Sequence, residues 1–161
     1  MARASRCACR STGDAWEVVL VREGVTEVGT FTPMGCQTLA MRLACTPVAL
    51  HRSLEHVPFE IYEALGGPPA ESVVGEILEA HYVAGVGVVG TQGLRKKKQR
   101  LHDLLLVFYA ADAVPLGPSL VFHHSGAPAG PECIVSDAAR IFAVDVVWCP
   151  GAFGRFLAPV E

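Results

Sequence analysis

Short apolar runs, each ended within a few residues by a glycine, a proline or a polar side chain, constrain the fold of this chain more than any other feature of its sequence. Apolar residues make up 51% of the 161 residues and charged residues 18%, which is too apolar for a disordered chain. No run approaches the roughly 20 apolar residues of a membrane-spanning helix. We therefore expect a flexible arm at residues 1–14, a single domain at residues 15–161, and no association with membranes.

The apolar runs divide into strand-like and helix-like segments, which together predict an α+β fold. Residues 16–22 and 25–31 are rich in β-branched side chains and flank Gly24, a pattern typical of a hairpin. Further strands are predicted at residues 104–109, 119–122 and 141–148, and the last of these could equally form a short buried helix. We expect a mixed, mostly antiparallel sheet of about five strands with two or three packed helices.

Two helices are predicted between these strands. Thr46 and Pro47 form a typical helix start, a capping hydroxyl followed by a proline at the first helical position. This helix is expected to kink at Pro58 and to end at Gly66. A second helix is predicted at about residues 69–82, because apolar side chains recur there at helical spacing. They are Val74, Ile77, Leu78 and Tyr82.

The amino-terminal residues and the cysteines favour an intracellular protein. The arginines of the first ten residues are followed by residues 11–14, which are polar where a secretory signal needs an apolar block. The six cysteines have no framework spacing, and a reducing compartment would keep them as thiols. We expect these thiols to be mostly buried.

The basic run at residues 95–100 is the strongest local signal. It holds five of the 13 basic residues, and without them 8 basic residues face 16 acidic ones, a balance of −8 that argues against a broad nucleic-acid surface. The run suits the acidic groove of a nuclear-import receptor or another anionic partner, and a solvated loop between two strands is the alternative. The residues that would bind are Arg95, Lys96, Lys97, Lys98 and Arg100.

Four residues are of the types that zinc prefers: His123, His124, Cys133 and Cys149. Adjacent histidines on a strand point to opposite faces, so both could not easily reach one ion. No Cys-x-x-Cys pair supports them. We therefore predict no metal and no cofactor, and interpret these residues as buried thiols and a half-exposed histidine pair.

No catalytic site is predicted. Cys36, His51 and Asp103 supply the types of a nucleophile, a base and a carboxylate, but no sequence signature joins them. Residues 85–90 have the Gly-x-Gly-x-x-Gly spacing of a dinucleotide fingerprint. A basic run rather than an amphipathic helix follows, so a pyrophosphate would lack a helix N-terminus. A packed glycine-rich strand is the preferred interpretation.

Three stretches resemble, in this order, the unique-short-twenty-two family of betaherpesviruses, whose repeating module is related to the SUKH superfamily of immunity proteins. Residues 16–24 with 28–31 are similar to the family's strand, turn and Gly-Thr element. Residues 64–69 are similar to its Leu-Gly-x-Pro helix end. Residues 104–114, followed by 139–143 and 153–157, are similar to its strand, turn, strand and closing helix.

The resemblance implies a non-catalytic viral protein of the tegument or early type that binds host proteins and counters host defence, in the cytoplasm and nucleus of the host cell. It transfers no functional residue, because the matching positions are turn glycines and strand aliphatics. The apolar composition also predicts an exposed patch for a partner or for self-association. Two alternatives stay open: a small enzyme or cofactor-binding domain using Cys/His chemistry, and a nucleic-acid-binding module, although nucleic acid is the least expected partner.

Overall fold

A computed structural model describes residues 14–95, 99–123, 130–135 and 140–160, and within these ranges the chain forms nine strands and three α-helices. The strands are β1 (Ala15–Arg22), β2 (Gly24–Val25), β3 (Thr30–Phe31), β4 (Pro47–Ala49), β5 (Val73–Val83), β6 (Gly87–Leu94), β7 (Leu116–His123), β8 (Arg140–Trp148) and β9 (Arg155–Val160). The helices are α1 (Pro33–Arg42), α2 (Phe59–Leu65) and α3 (Gln99–Ala110). The predicted α+β class is confirmed, with a larger sheet than expected.

Seven of the strands form one mixed sheet in the order β7-β8-β4-β5-β6-β1-β9, while β2 and β3 pair separately. Neighbours in the large sheet are antiparallel except for β4 and β8, which run parallel. The sheet curls until its two outermost strands approach each other. A Cβ atom at Gly154 would collide with the carbonyl oxygen of Pro118, so this close approach requires glycine.

The main core lies on the face of the sheet that carries Trp16 and Val18, here called the inner face. Both side chains are fully buried, in one cluster with Leu39 of α1 and Leu105 of α3. The indole N–H of Trp16 donates to Nδ1 of His102 over 3.0 Å, which ties α3 to β1. Burial of this apolar area is the main contribution to stability.

The opposite face of β7 and β8, here called the outer face, is covered by α2. Tyr62 of α2 forms a second buried cluster with Val121, Phe142 and Ala143. Because side chains alternate along a strand, Asp145 projects from β8 on the same face as Ala143. Its cross-strand partner on β7 is Ser119. The fold therefore places two polar residues beneath α2 and the segment that precedes it.

The predicted helix at residues 69–82 is wrong, because a 3-10 turn at Ala70–Ser72 leads directly into β5. This strand lies between β4 and β6, and its first five residues are all buried. A strand buried on both faces lacks the polar alternation that identifies strands in a sequence, and its β-branched residues favour the extended form. At Gly75 a Cβ atom would collide with the backbone of Gly93, so glycine allows the close pairing with β6.

The predicted strand at residues 104–109 is also wrong, since these residues belong to α3. Leu101 and Leu105 are buried one helical turn apart, and the continuous apolar run around Leu105 hides this spacing in the sequence. Two further helix predictions fail. Pro47 begins β4 instead of a helix, and β9 occupies residues where the resemblance implies a closing helix.

Several predicted elements are confirmed. Residues 16–22, 119–122 and 141–148 lie in β1, β7 and β8, the glycine-rich residues 87–90 lie in β6, and residues 59–65 form α2. The predicted hairpin of residues 16–22 with 25–31 is wrong. β1 pairs with β6 and β9, whereas β2 and β3 form a small hairpin of their own.

Candidate functional site

A buried polar cluster on the outer face is centred on Asp145. This residue is fully buried, and both of its carboxylate oxygens have partners. Oδ1 accepts a hydrogen bond from the Tyr62 hydroxyl and lies 3.3 Å from Nε2 of His51, while Oδ2 lies 2.7 Å from Nδ1 of His56. We call these four residues, together with Ser119, the Asp145 cluster. A carboxylate can be buried in this way only because hydrogen-bond partners replace its lost hydration.

Tyr62 and His51 form the most deeply buried side of the cluster. Nε2 of His51 lies 2.8 Å from the Tyr62 hydroxyl oxygen. Burial, followed by the hydrogen bond to Asp145, raises the pKa of Tyr62 well above its ordinary value, so the hydroxyl remains a donor. Helix α2, which carries Tyr62, is followed by Gly66, and this glycine has the left-handed conformation typical of a helix C-terminus.

His56 extends the cluster towards solvent, with 42% of its side chain exposed. Nδ1 faces Asp145, and Nε2 lies 2.9 Å from Oγ of Ser119. A carboxylate, an imidazole and a hydroxyl joined in this order are the connectivity that activates a serine nucleophile. Ser119 is only 4% exposed, so a substrate could reach its hydroxyl only if the segment carrying His56 moved away.

The residues considered for cysteine chemistry occupy different environments. His51 belongs to the Asp145 cluster, whereas Cys36 of α1 is fully buried in the inner core. Burial, and secondarily the nearby Glu23 carboxylate, raises the pKa of the Cys36 thiol to about 11. Asp103 is exposed on α3. Cys36 therefore stays protonated near neutral pH and offers no thiolate for nucleophilic attack.

The residues considered as zinc ligands also have separate surroundings. His123 is exposed and stacks on Phe59, with ring centroids 5.5 Å apart. Cys133 is buried and Cys149 is exposed, and both are free thiols. His124 lies outside the described residues. Across the ranges that the structure describes, no three His, Cys, Asp or Glu side chains are grouped so that they could hold a metal ion.

Cys45 corrects the expectation that all six cysteines are thiols, because it is disulfide-bonded. The residue has a positive φ of 66° at the turn between α1 and β4, a conformation uncommon outside glycine. The expectation of buried thiols is right for Cys36 and Cys133 and wrong for Cys149.

An apolar surface on α3 is the second region of interest. Leu104 is 41% exposed and Val107 is 65% exposed, whereas Leu105 between them is fully buried. Arg100, Leu104 and Val107 are spaced at i, i+4 and i+7 and therefore lie on one side of the helix. We call these three residues the α3 face. Leu106 and Tyr109 are also exposed on the same helix, so its apolar surface extends beyond the α3 face.

Two residues of the predicted basic run, Arg95 and Arg100, lie on either side of the first residue of this helix. Arg95 and Arg100 are both exposed, and Lys96, Lys97 and Lys98 lie outside the described residues. A helix N-terminus carries a partial positive charge, so cations placed there oppose helix stability. None of the ion pairs found in the described part of the chain involves Arg95 or Arg100. Their charges therefore remain available to a binding partner.

Sequence reasoning missed Asp145, His56 and Ser119. One signal could have found the first of them, because Asp145 interrupts the otherwise apolar run of β8. A carboxylate inside such a run must be paired if the strand is buried. His56 and Ser119 carry no comparable signal, since their partners are 63 to 89 residues away along the chain.

No α-helix within the described residues combines the length and the apolar character needed to span a membrane. No protein-family model, curated protein or solved structure matches this chain.

Proposed function

We propose that this chain is a non-catalytic viral protein of the tegument or early type that binds host proteins to counter host defence, and that the α3 face contacts the partner. The observation that carries the proposal is the exposure of Leu104 and Val107 on a helix already anchored by Leu101 and Leu105. Exposed apolar surface gains roughly 25 cal/mol per Å² when a partner covers it. The viral and host-defence part of the proposal is supported by the family resemblance alone.

The positive charges of Arg95 and Arg100 indicate what kind of partner surface would fit the α3 face. Arg100 belongs to the face and Arg95 precedes the helix, and neither forms an ion pair with the described residues. A complementary protein surface presents apolar side chains next to Asp or Glu. We therefore propose a host protein with an acidic and apolar docking surface. Nucleic acid would require a wider basic area than the acidic remainder of the chain provides.

The basic run at residues 95–100 also supports a role in nuclear import. A compact cationic segment fits the acidic groove of an import receptor, which supports a distribution between cytoplasm and nucleus. Replacing Lys96, Lys97, Lys98 and Arg100 with alanine should abolish the nuclear signal of the tagged chain in cells. An unchanged distribution would contradict this localisation.

The binding proposal is tested by recovering a host partner from cells with the tagged chain and then measuring its direct binding with purified proteins. The double variant Leu104→Ser, Val107→Ser should weaken binding at least about tenfold, because full burial of one such side chain contributes about 1.5–3 kcal/mol and a partner would cover the exposed parts of two. Met41→Ser is the matched control, since Met41 is 86% exposed on another helix. Equal affinity of wild type and double variant would refute the proposed surface, as would equal losses in double variant and control.

The Asp145 cluster favours a second candidate function, acyl transfer to water with Ser119 as nucleophile. In this reaction Oγ of Ser119 would form a bond to the substrate carbonyl carbon, His56 would take the hydroxyl proton and deliver it to the leaving alcohol, and water would release the acid. A fluorophosphonate probe tests this directly. Labelling of wild type that is lost in both Ser119→Ala and His56→Gln would favour the hydrolase, and unlabelled wild-type protein would exclude it.

A further inference from the structure

A cleft at the end of β1 is lined by none of the residues of the Asp145 cluster. It encloses about 580 Å³ between the end of β1, the turn before β6 and the turn between β8 and β9. This volume is in the range of small-molecule sites, which are typically 300–1,000 Å³. Its lining residues include Arg22, Glu27, Val86, Cys149, Phe153 and Arg155.

The turn between β8 and β9 builds one wall of the cleft in a strained conformation. Cys149 and Phe153 both have positive φ angles, 47° and 58°, which non-glycine residues rarely adopt. The backbone is fixed because Arg22 N–H donates to the Ala152 carbonyl and Glu27 N–H donates to the Gly151 carbonyl. Strain of this kind persists only where surrounding contacts enforce it, and it is concentrated at functional sites. Here it presents an aromatic ring and a thiol to the cleft.

The charged groups of the cleft favour an anion. The Arg22 guanidinium lies 3.8 Å from the centre of the Phe153 ring and donates to the Val25 carbonyl, which fixes its position. Arg155 adds a second guanidinium, and Glu27 is the one acidic side chain among the lining residues. The nearby Glu23 accepts hydrogen bonds from the Tyr82 hydroxyl and the Gly85 N–H, and none of the ion pairs among the described residues joins it to Arg22 or Arg155.

We propose that this cleft binds a small aromatic anion, a carboxylate or phosphate carried on a planar ring. The anionic group lies between Arg22 and Arg155, since guanidinium groups match the geometry of carboxylate and phosphate oxygens. The ring packs against Phe153 and Val86 at the apolar wall. The Cys149 thiol, exposed in the same wall, is covered when the site is occupied.

Alkylation of Cys149 by iodoacetamide measures occupancy, with the modified peptide quantified by mass spectrometry and phenyl phosphate as the probe. Binding at ten times the dissociation constant should slow alkylation about tenfold by mass action. Arg155→Gln should abolish the protection. Arg140→Gln is the matched control, because Arg140 is also exposed and lies over a phenylalanine ring, Phe142, outside the cleft.

Two results would overturn the proposal in folded protein, which is checked by the thermal unfolding of each variant. One is an unchanged alkylation rate at millimolar phenyl phosphate. The other is equal protection by inorganic phosphate or by phenol, because the proposed site needs both the anionic group and the ring. Protection by phenyl phosphate alone, lost in Arg155→Gln and kept in Arg140→Gln, would establish the site.

Discussion

The Asp145 cluster and the α3 face reverse the usual distribution of polar and apolar side chains. In the cluster, a carboxylate is fully buried and each of its oxygens has a partner. On α3, Leu104 and Val107 are exposed to water although the same helix buries Leu101 and Leu105. Both arrangements cost free energy in an isolated domain unless something compensates for them.

The Asp145 cluster and the α3 face differ in what offsets this cost in free energy. Hydrogen bonds inside the molecule satisfy Asp145, so its removal should affect folding first. The described residues leave the α3 face open, so its alteration should affect association first.

The largest effect is expected from Asp145→Asn. The substitution removes the negative charge and leaves His51, His56 and Tyr62 with a poorer acceptor, which should lower the free energy of unfolding by about 3–5 kcal/mol. Chemical denaturation measures the change. Asp112→Asn is the control, because Asp112 is exposed and its φ of 56° suits asparagine. A loss below about 1 kcal/mol at Asp145 would mean that the cluster contributes little to folding.

Two neighbouring leucines of α3 give the next comparison. Leu105→Ala removes a fully buried side chain and should cost about 2–5 kcal/mol of unfolding free energy. Leu104→Ala removes an exposed side chain and should cost less than about 1 kcal/mol while still weakening partner binding. Similar losses of stability in both variants would show that Leu104 belongs to the core and not to a binding surface.

The third effect is a dependence of stability on pH that comes from the buried thiol of Cys36. Its pKa rises from 9.0 to about 11 on folding, so the folded state retains the proton more strongly than the unfolded state. The stability associated with this group is complete below pH 9 and is lost as the pH rises to 11, about 2–3 kcal/mol in total. Cys36→Ala should flatten the alkaline part of a plot of unfolding free energy against pH. An identical slope in both proteins would contradict this prediction.

A smaller effect than at Asp145, Leu105 or Cys36 is expected from Ser119→Ala, about 1 kcal/mol of unfolding free energy. The hydroxyl bonds to Nε2 of the half-exposed His56, and water can replace it there. Ser53→Ala provides the comparison, since Ser53 is exposed in the segment between β4 and α2 that also carries His56. A loss at Ser119 equal to that of Asp145→Asn would show that the hydroxyl, and not the carboxylate, organises the cluster.

The sequence predicted the elements whose local pattern agrees with their surroundings. β1, β7 and β8 are β-branched, and α2 is bounded by Pro58 and Gly66. β5 was missed because its first five residues are buried on both faces, so its helix-like spacing of apolar residues was accidental. α1 was missed although Thr32 caps it and Pro33 begins it, because only a narrow side of the helix is apolar.

The two regions differed in how far the sequence could predict them. The basic residues of the α3 end were identified because they are consecutive, and Arg95 and Arg100 are indeed exposed. The apolar residues 104–109 predict a strand, and a strand would not place Arg100, Leu104 and Val107 on one side. The Asp145 cluster joins residues from four separate segments, and only the folded sheet brings Ser119 opposite Asp145.

The pairing of β1 with β9 has a consequence for how this domain can be connected to others. Ala15 is the cross-strand partner of Val160, so the described chain enters and leaves the sheet at the same place, with Cα atoms roughly 5 Å apart. A linker of a few residues could therefore join these positions in a circular permutant. The same geometry would allow the domain to be inserted into a surface loop of another protein, or repeated in tandem, without opening the sheet.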